Sequence, residues 1–236
     1  MTDFSGNVFL ASLPQSDQAE LERQLRLMDL DVGEVVVEQG ERVERAVFPL
    51  TAQLANVVQL ADGATVEVAM VGREGLGGLA PIMSDRPCSW QVKVRAAGSA
   101  FVGPASAVRA LQRTSVTFMV RLLELTQFYQ EQAAQVGACN ARHVLSARLA
   151  RWLLTALDMS SSQTLRFTQE ELAALLGCQR TTVTEAAQTL VNLGGIIYSR
   201  GQIRVLDRRV LESAACECYA ALKARAAALG ATPLES

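Results

Sequence analysis

The sequence predicts an α+β chain in two parts: an N-terminal antiparallel β-barrel or jelly roll, then a helical part that ends in a winged helix-turn-helix. Three observations predict it. Short apolar runs recur at a spacing of roughly 8 to 12 residues between about Leu30 and Phe101. After Pro104 the apolar period lengthens from that of strands to that of helices. Basic residues gather in one C-terminal segment of an otherwise acidic chain. The 236 residues, half of them apolar, are enough for two ordinary cores.

Taken in order, residues 16–27 read as a short amphipathic helix behind the Pro14 stop. The strands follow as Glu34-Val35-Val36-Val37, Ala46-Val47-Phe48, Leu54-Ala55-Asn56-Val57-Val58, Thr65-Val66-Glu67-Val68-Ala69-Met70 and Gln91-Val92-Lys93-Val94-Arg95, with turn signals such as Ala61-Asp62-Gly63 between them. They place a barrel domain over residues 1–113. From 114 to 139 a long helix is expected, because Phe118, Leu122, Leu125, Tyr129, Gln132 and Val136 follow one another at steps of three and four. Such a stripe either pairs two helices along a dimer seam or packs the helix on its own barrel, and the spacing leaves both open. A second helix over 143–158 carries Leu145, Leu149, Leu153 and Leu157, and the polar stretch 159–163 ends it.

Residues 140–236 form the expected DNA-binding domain. Thr168-Gln169-Glu170-Glu171 is a capping box ahead of the apolar Leu172-Ala173-Ala174-Leu175-Leu176. Gly177 permits the left-handed conformation that closes this helix and turns the chain into a second one near Gln179. There Val183, Ala187 and Leu190 make a buried edge, while Gln179, Arg180, Thr181, Thr184, Glu185 and Gln188 face away. Those types suit base edges: arginine grips guanine, glutamate accepts from cytosine, threonine meets a phosphate or a thymine methyl. A wing follows as Ile196-Ile197-Tyr198, the turn Ser199-Arg200-Gly201-Gln202 and Ile203-Arg204-Val205-Leu206, with Arg200 and Arg204 placed for phosphates. Charge agrees. Residues 1–137 hold 11 basic against 16 acidic side chains, whereas residues 138–210 hold 9 against 5, inside a chain of net charge −2.

With these segments in place, the whole chain resembles the Crp/Fnr family of bacterial regulators, most specifically through Gly177-Cys178-Gln179-Arg180-Thr181-Thr182-Val183. The resemblance implies a barrel of cyclic-nucleotide-binding type, a dimerisation helix, and a homodimer that binds double-stranded DNA at an inverted repeat with half-sites about one helical turn apart. It implies RNA polymerase as a further partner if the protein activates transcription. By position Arg180 matches a base-reading arginine and Thr182 a backbone contact, with Thr168 beside them. Thr181 and Glu185 stand where well-studied members often carry glutamate and arginine, so a different operator is expected.

The family's phosphate cassette pairs Gly-Glu with Arg-Ser/Thr before a strand. Gly72, Glu74 and Gly75 resemble its first half, but Ser89 and Trp90 occupy the second, with Trp90 about where the arginine belongs. Weak or no cyclic AMP binding is therefore expected unless Arg73 or Arg86 substitutes, which leaves another nucleotide or small effector as the occupant, a regulator controlled by abundance or redox state, or a non-DNA sensor or interaction module that keeps the fold. No cofactor is predicted. The chain has no cysteine before Cys88, against the N-terminal cysteines of the family's iron-sulfur sensors. Cys216-Glu217-Cys218 is too tightly spaced for the usual zinc pair, and two thiols alone cannot complete a tetrahedral site, so the pair is read as small buried residues or a redox element. The single histidine, His143, reads as a packing or hydrogen-bonding residue, and its isolation also counts against haem ligation and an enzyme. Five scattered cysteines, the absence of a secretion signal at the start and of any run near the roughly 18 to 20 apolar residues that span a bilayer predict a cytoplasmic protein with no membrane partner.

Overall fold

The computed structural model describes residues 2–160 and 162–231, so Ser161 of the predicted polar stretch and the last five residues of the predicted DNA-binding domain lie outside the described residues. The chain forms two units. One comprises residues up to Gln59, Val68–Glu131 and Ala228–Ala231, and the other Leu60–Glu67 and Gln132–Ala227.

The first begins with helices α1 (Val8–Ala11) and α2 (Gln15–Glu22), then strands β1 (Arg26–Leu30), β2 (Val35–Val37), β3 (Arg45–Pro49), β4 (Gln53–Gln59) and, from Val68 on, β5 (Thr65–Val71), whose first three residues belong to the second unit. Helix α3 (Leu79–Ser84), β6 (Gln91–Ala96), β7 (Gly98–Pro104) and α4 (Ala105–Thr114) follow. The strands make two separate antiparallel sheets of order β1-β7-β3 and β2-β6-β4-β5, a jelly-roll arrangement and not one closed barrel. All five predicted strands form. The helix expected over 16–27 ends at Glu22, because Arg26 and Leu27 pair with Val102 and Phe101 as strand β1. Leu27 there is exposed, so its apolar character had no helix face to serve. The core gathers Leu10, Leu21, Phe48, Leu54, Leu76 and Ile82, all fully buried.

Helix α5 (Val116–Arg142) contributes its residues up to Glu131 to the first unit and the rest to the second. Most of its 4-3 stripe is covered by the chain itself. Phe118, Leu122 and Leu125 are buried within this one chain, Phe118 lying edge-on to Phe9 at 5.7 Å between ring centroids. Tyr129 donates its hydroxyl to Glu74 at 3.3 Å. Gln132 is buried and Val136 half-buried in the second unit. Of the residues expected at a dimer seam, Phe118, Leu122, Leu125 and Gln132 are thus buried within the chain, and Tyr129 is half-buried. The exposed apolar edge of α5 is instead Val116, Val120 and Leu123, at 81%, 48% and 52% exposure.

The second unit continues with α6 (Leu145–Asp158), β8 (Thr164–Arg166), α7 (Gln169–Leu176), α8 (Arg180–Asn192), β9 (Ile196–Ser199), β10 (Gln202–Val205), α9 (Arg208–Ala214) and α10 (Cys218–Ala228). Leu149 and Leu153 of α6, Val183 and Leu190 of α8 and Leu211 of α9 are buried, with α6 packed on both α8 and α9. Arg208 ties α9 to the end of α6 and to α10 by bonding Asp158 and the Tyr219 hydroxyl, each at 2.5 Å.

Candidate nucleic-acid interface

Local chemistry fixes where α7 begins and ends. Thr168 Oγ1 accepts from the Glu171 amide at 3.1 Å while Glu171 Oε2 accepts from the Thr168 amide at 2.7 Å, so two free donors of the first turn are satisfied reciprocally. At the other end Gly177 adopts φ 59°, and the Cys178 amide reaches back to the Ala173 carbonyl at 3.0 Å. Glycine takes that left-handed turn without a Cβ penalty, so α8 can start three residues later.

Gln179 is the N-cap of α8 but makes no side-chain cap, which leaves its amide group outward. Gln179, Arg180, Thr181, Thr182, Thr184, Glu185 and Gln188 are all exposed, while Val183, Ala186, Ala187 and Leu190 are buried. The predicted division of this helix into a polar and an apolar face is present residue by residue. Arg180 is held by groups that the sequence reading did not single out: Nη1 pairs with Glu170 at 2.9 Å and Nε donates to Gln169 at 3.2 Å. Both ends of that ion pair are about two-thirds exposed, and such surface pairs contribute about 0–1 kcal/mol. A nucleic acid can therefore take over the guanidinium at little cost. At the far end Gln188 donates to Asn192 at 2.8 Å.

The wing is a three-stranded sheet of order β8-β10-β9. Its turn places Arg200 at φ 51° and Gly201 at φ 72°, two successive left-handed residues that match the twist of a tight hairpin and put Arg200 at the tip. Strand β8 was not anticipated. In it Arg166 stands opposite Gln202 and Thr164 opposite Arg204. Opposed residues share a sheet face and alternate residues return to it, so Arg166 and Arg204 lie together on the exposed face while Leu165 and Ile203 are buried behind them. The period-two alternation Thr164-Leu165-Arg166 just before the Thr168 cap was the signal for it. Tyr198 bonds the Phe167 carbonyl at 3.0 Å and the Phe167 amide bonds Gly201 at 2.8 Å, which ties the wing to the start of α7.

In the first unit the cassette-like loop is engaged internally. The Gly72 amide donates to both Glu74 carboxylate oxygens at 2.9 and 3.1 Å, and Tyr129 donates to the same carboxylate. Burial nonetheless pushes the Glu74 carboxyl above its ordinary 4.5, because lost hydration outweighs these bonds. Asn7 Nδ2 donates to the Gly75 carbonyl at 3.0 Å and the Val8 amide to the Arg73 carbonyl at 2.7 Å. A Cβ on Gly75 would collide with the Tyr129 hydroxyl and press on Leu125, so glycine serves the close approach of α5 here. Ser89 is exposed, and Trp90 is half-buried with its indole N–H lacking a hydrogen-bond partner among the described residues. Of the two candidate replacement cations, Arg73 is half-buried and Arg86 exposed.

Residues 147–214 match the family model of the Crp-like helix-turn-helix domain. Among curated proteins none matches the chain in sequence. Solved structures do share its fold. A chain assigned to the Crp/Fnr family of transcriptional regulators, from Eubacterium rectale, is 17% identical with a TM-score of 0.72, over 89% of this chain and 98% of that one. FixK2 from Bradyrhizobium japonicum is 17% identical with a TM-score of 0.68, over 81% and 98%. A CRP-family transcriptional regulator from Thermus thermophilus is 19% identical with a TM-score of 0.66, over 80% and 96%. The chain thus carries a Crp-like helix-turn-helix DNA-binding domain on the fold of the Crp/Fnr regulators.

Proposed function

We propose that this protein is a sequence-specific transcription regulator that binds double-stranded DNA as a homodimer at an inverted repeat, and that it is a binding protein and not an enzyme. The observation that carries the reading is the exposed polar face of α8, led by Arg180, beside a wing face that presents Arg166, Arg200 and Arg204. Helix and wing together supply what recognition requires: side chains for base edges and cations for the flanking phosphates. The second copy docks on the Val116, Val120 and Leu123 edge of α5, apolar residues at helical spacing that the chain leaves uncovered.

Control by abundance, not by cyclic AMP, is favoured by the Gly72–Gly75 loop. Its Gly72 amide and its buried carboxylate already satisfy each other and Tyr129, and by the resemblance Trp90 takes the place of the family's phosphate-binding arginine. A ligand could shift the protein only by differential affinity for two states, and this loop offers cyclic AMP little to gain. No described helix is long and apolar enough to cross a membrane.

Genome-wide DNA occupancy of the wild type beside Arg180→Ala, in the native host, tests the reading. Palindromic sites occupied by the wild type and lost by the variant support it. Identical occupancy of the two, or no enriched sites across growth conditions, overturns it.

A further inference from the structure

A second group of chemistry-bearing side chains lies in the unit that holds α8, and nothing in DNA recognition uses it. Cys139 lies near the end of α5 and His143 just past it, its amide still bonding the Cys139 carbonyl at 3.0 Å. Cys216 and Cys218 flank Glu217 where the chain enters α10. The fold brings the four together so that one ligating atom from each lies within 4.8 Å of all the others, and the three cysteines are buried. Cys139 Sγ is 3.5 Å from Cys216 Sγ, and Cys218 Sγ is 3.7 Å from His143 Nδ1. A tetrahedral zinc with bonds of about 2.3 Å to sulfur and about 2.0 to 2.1 Å to nitrogen has edges of about 3.8 Å between sulfurs and about 3.6 Å from sulfur to nitrogen. The Cys139–Cys216 and Cys218–His143 edges are already close to those lengths.

We propose that Cys139, His143 through Nδ1, Cys216 and Cys218 form a Cys3His site for a single divalent transition-metal ion, zinc by preference. Three thiolates and an imidazole suit zinc, and four protein ligands close its coordination, as in structural sites. The groups behind the ligands fit as well. His143 Nε2 lies 3.1 Å from Glu217 Oε1, the carboxylate-histidine arrangement that fixes the ring and keeps the lone pair on Nδ1. Gln135 Nε2 donates to Cys218 Sγ at 3.0 Å, and Arg225 in turn holds Gln135 Oε1 at 3.0 Å. Zinc with three thiolates carries one net negative charge, which is costly to bury alone. Arg151 is 3% exposed, its Nε lacks a hydrogen-bond partner among the described residues, and it acts electrostatically on Cys139, so a cation is already in place to balance that charge. The ion would clamp the end of α5 to the start of α10, joining cysteines 77 positions apart in the chain.

A Cys139–Cys216 disulfide is the rival use of these sulfurs. It would need them to close from 3.5 Å to about 2.05 Å. It would also leave His143, Cys218 and their hydrogen bonds without a purpose.

The test uses the full chain. Elemental analysis of protein purified under reducing conditions should find about one zinc per chain, and Co2+ added to the chelator-treated protein should develop the absorption of tetrahedral thiolate cobalt, saturating at one equivalent. Cys178→Ser, outside the cluster, should keep both signals. Cys139→Ser with Cys216→Ser should lose them, and Glu217→Ala should weaken the affinity by about 10- to 100-fold, as losing the partner of a ligating histidine does. Wild-type protein that holds no zinc and gives no tetrahedral cobalt spectrum overturns the proposal without reliance on any variant. So does an intact mass two hydrogens short with the Cys139 and Cys216 peptides linked, or a cobalt spectrum that survives the double substitution.

Discussion

Arg180 and Arg204 are both exposed arginines of the DNA-binding domain, yet their settings predict different losses. Arg180 stands in the first turn of α8, where a bidentate guanine contact is worth about 1–3 kcal/mol, so Arg180→Ala should weaken binding to the operator by that much and leave unrelated DNA nearly unaffected. Arg204 lies on the wing with Arg166, so Arg204→Ala should weaken every sequence alike and lower the salt slope by about 1. Fluorescence anisotropy on specific and random duplexes over a salt series distinguishes the two, and equal loss on both duplexes for Arg180→Ala would remove its base-reading role. Glu74 makes a pH prediction. Its folded value is raised, so the native chain keeps a proton that the unfolded chain has released above 4.5, and stability should fall as pH rises from 4.5 through the raised value. Glu74→Gln should flatten that slope in urea melts at a series of pH values; an unchanged slope would mean that the carboxylate is not desolvated. The face of α8 was legible because helical period sorts polar from apolar within a dozen residues. The engagement of Glu74 was not, since its partner Tyr129 is 55 positions away and no local pattern announces it.

At the scale of elements, the parts with chemical boundary marks were readable and those set by distant partners were not. The Thr168 box and Gly177 delimit α7 from sequence alone, and Thr168→Ala should cost about 1 kcal/mol of unfolding free energy in a denaturant melt by freeing the Glu171 amide. Strands β1 and β7 escaped notice because they pair with each other across some seventy residues. The stripe of α5 shows the limit most plainly. Its period correctly marked a buried face, but period cannot say whether the covering surface belongs to the same chain. Leu125 lies against the Gly75 loop and Leu123 faces outward, two positions apart in sequence and on different sides of the helix. Leu125→Asp should therefore unfold the first unit, since an uncompensated buried carboxylate costs several kcal/mol. Leu123→Asp should leave circular dichroism unchanged and convert the proposed dimer to monomer in analytical ultracentrifugation. A dimeric Leu123→Asp protein would place the seam elsewhere. The four residues of the Cys3His cluster were each visible, but the Cys216–Cys218 spacing gave no hint that Cys139 and His143, more than seventy positions earlier, stand beside them.

For the whole molecule, the proposed homodimer would turn two modest interfaces into one specific one. Each recognition helix alone reads only a few base pairs, and joining two on one body makes the second contact intramolecular, which can raise affinity by about 100- to 10,000-fold when the geometry allows both to engage. That gain depends on the phase of the DNA helix. Two α8 helices related by a two-fold axis meet the same face of the duplex only when the half-site centres are about 10 to 10.5 base pairs apart, or a multiple of that. Inserting five base pairs between the half-sites of an occupied operator rotates one of them by about half a turn to the far side, so binding should collapse to the level of an isolated half-site. The same operator with intact spacing should bind Leu123→Asp at that same isolated level, because the variant lacks the partner and not the reading face. If the insertion cost nothing, or if the Leu123→Asp protein bound the intact operator as tightly as the wild type, the two recognition helices would be acting independently and each would have to carry the specificity alone.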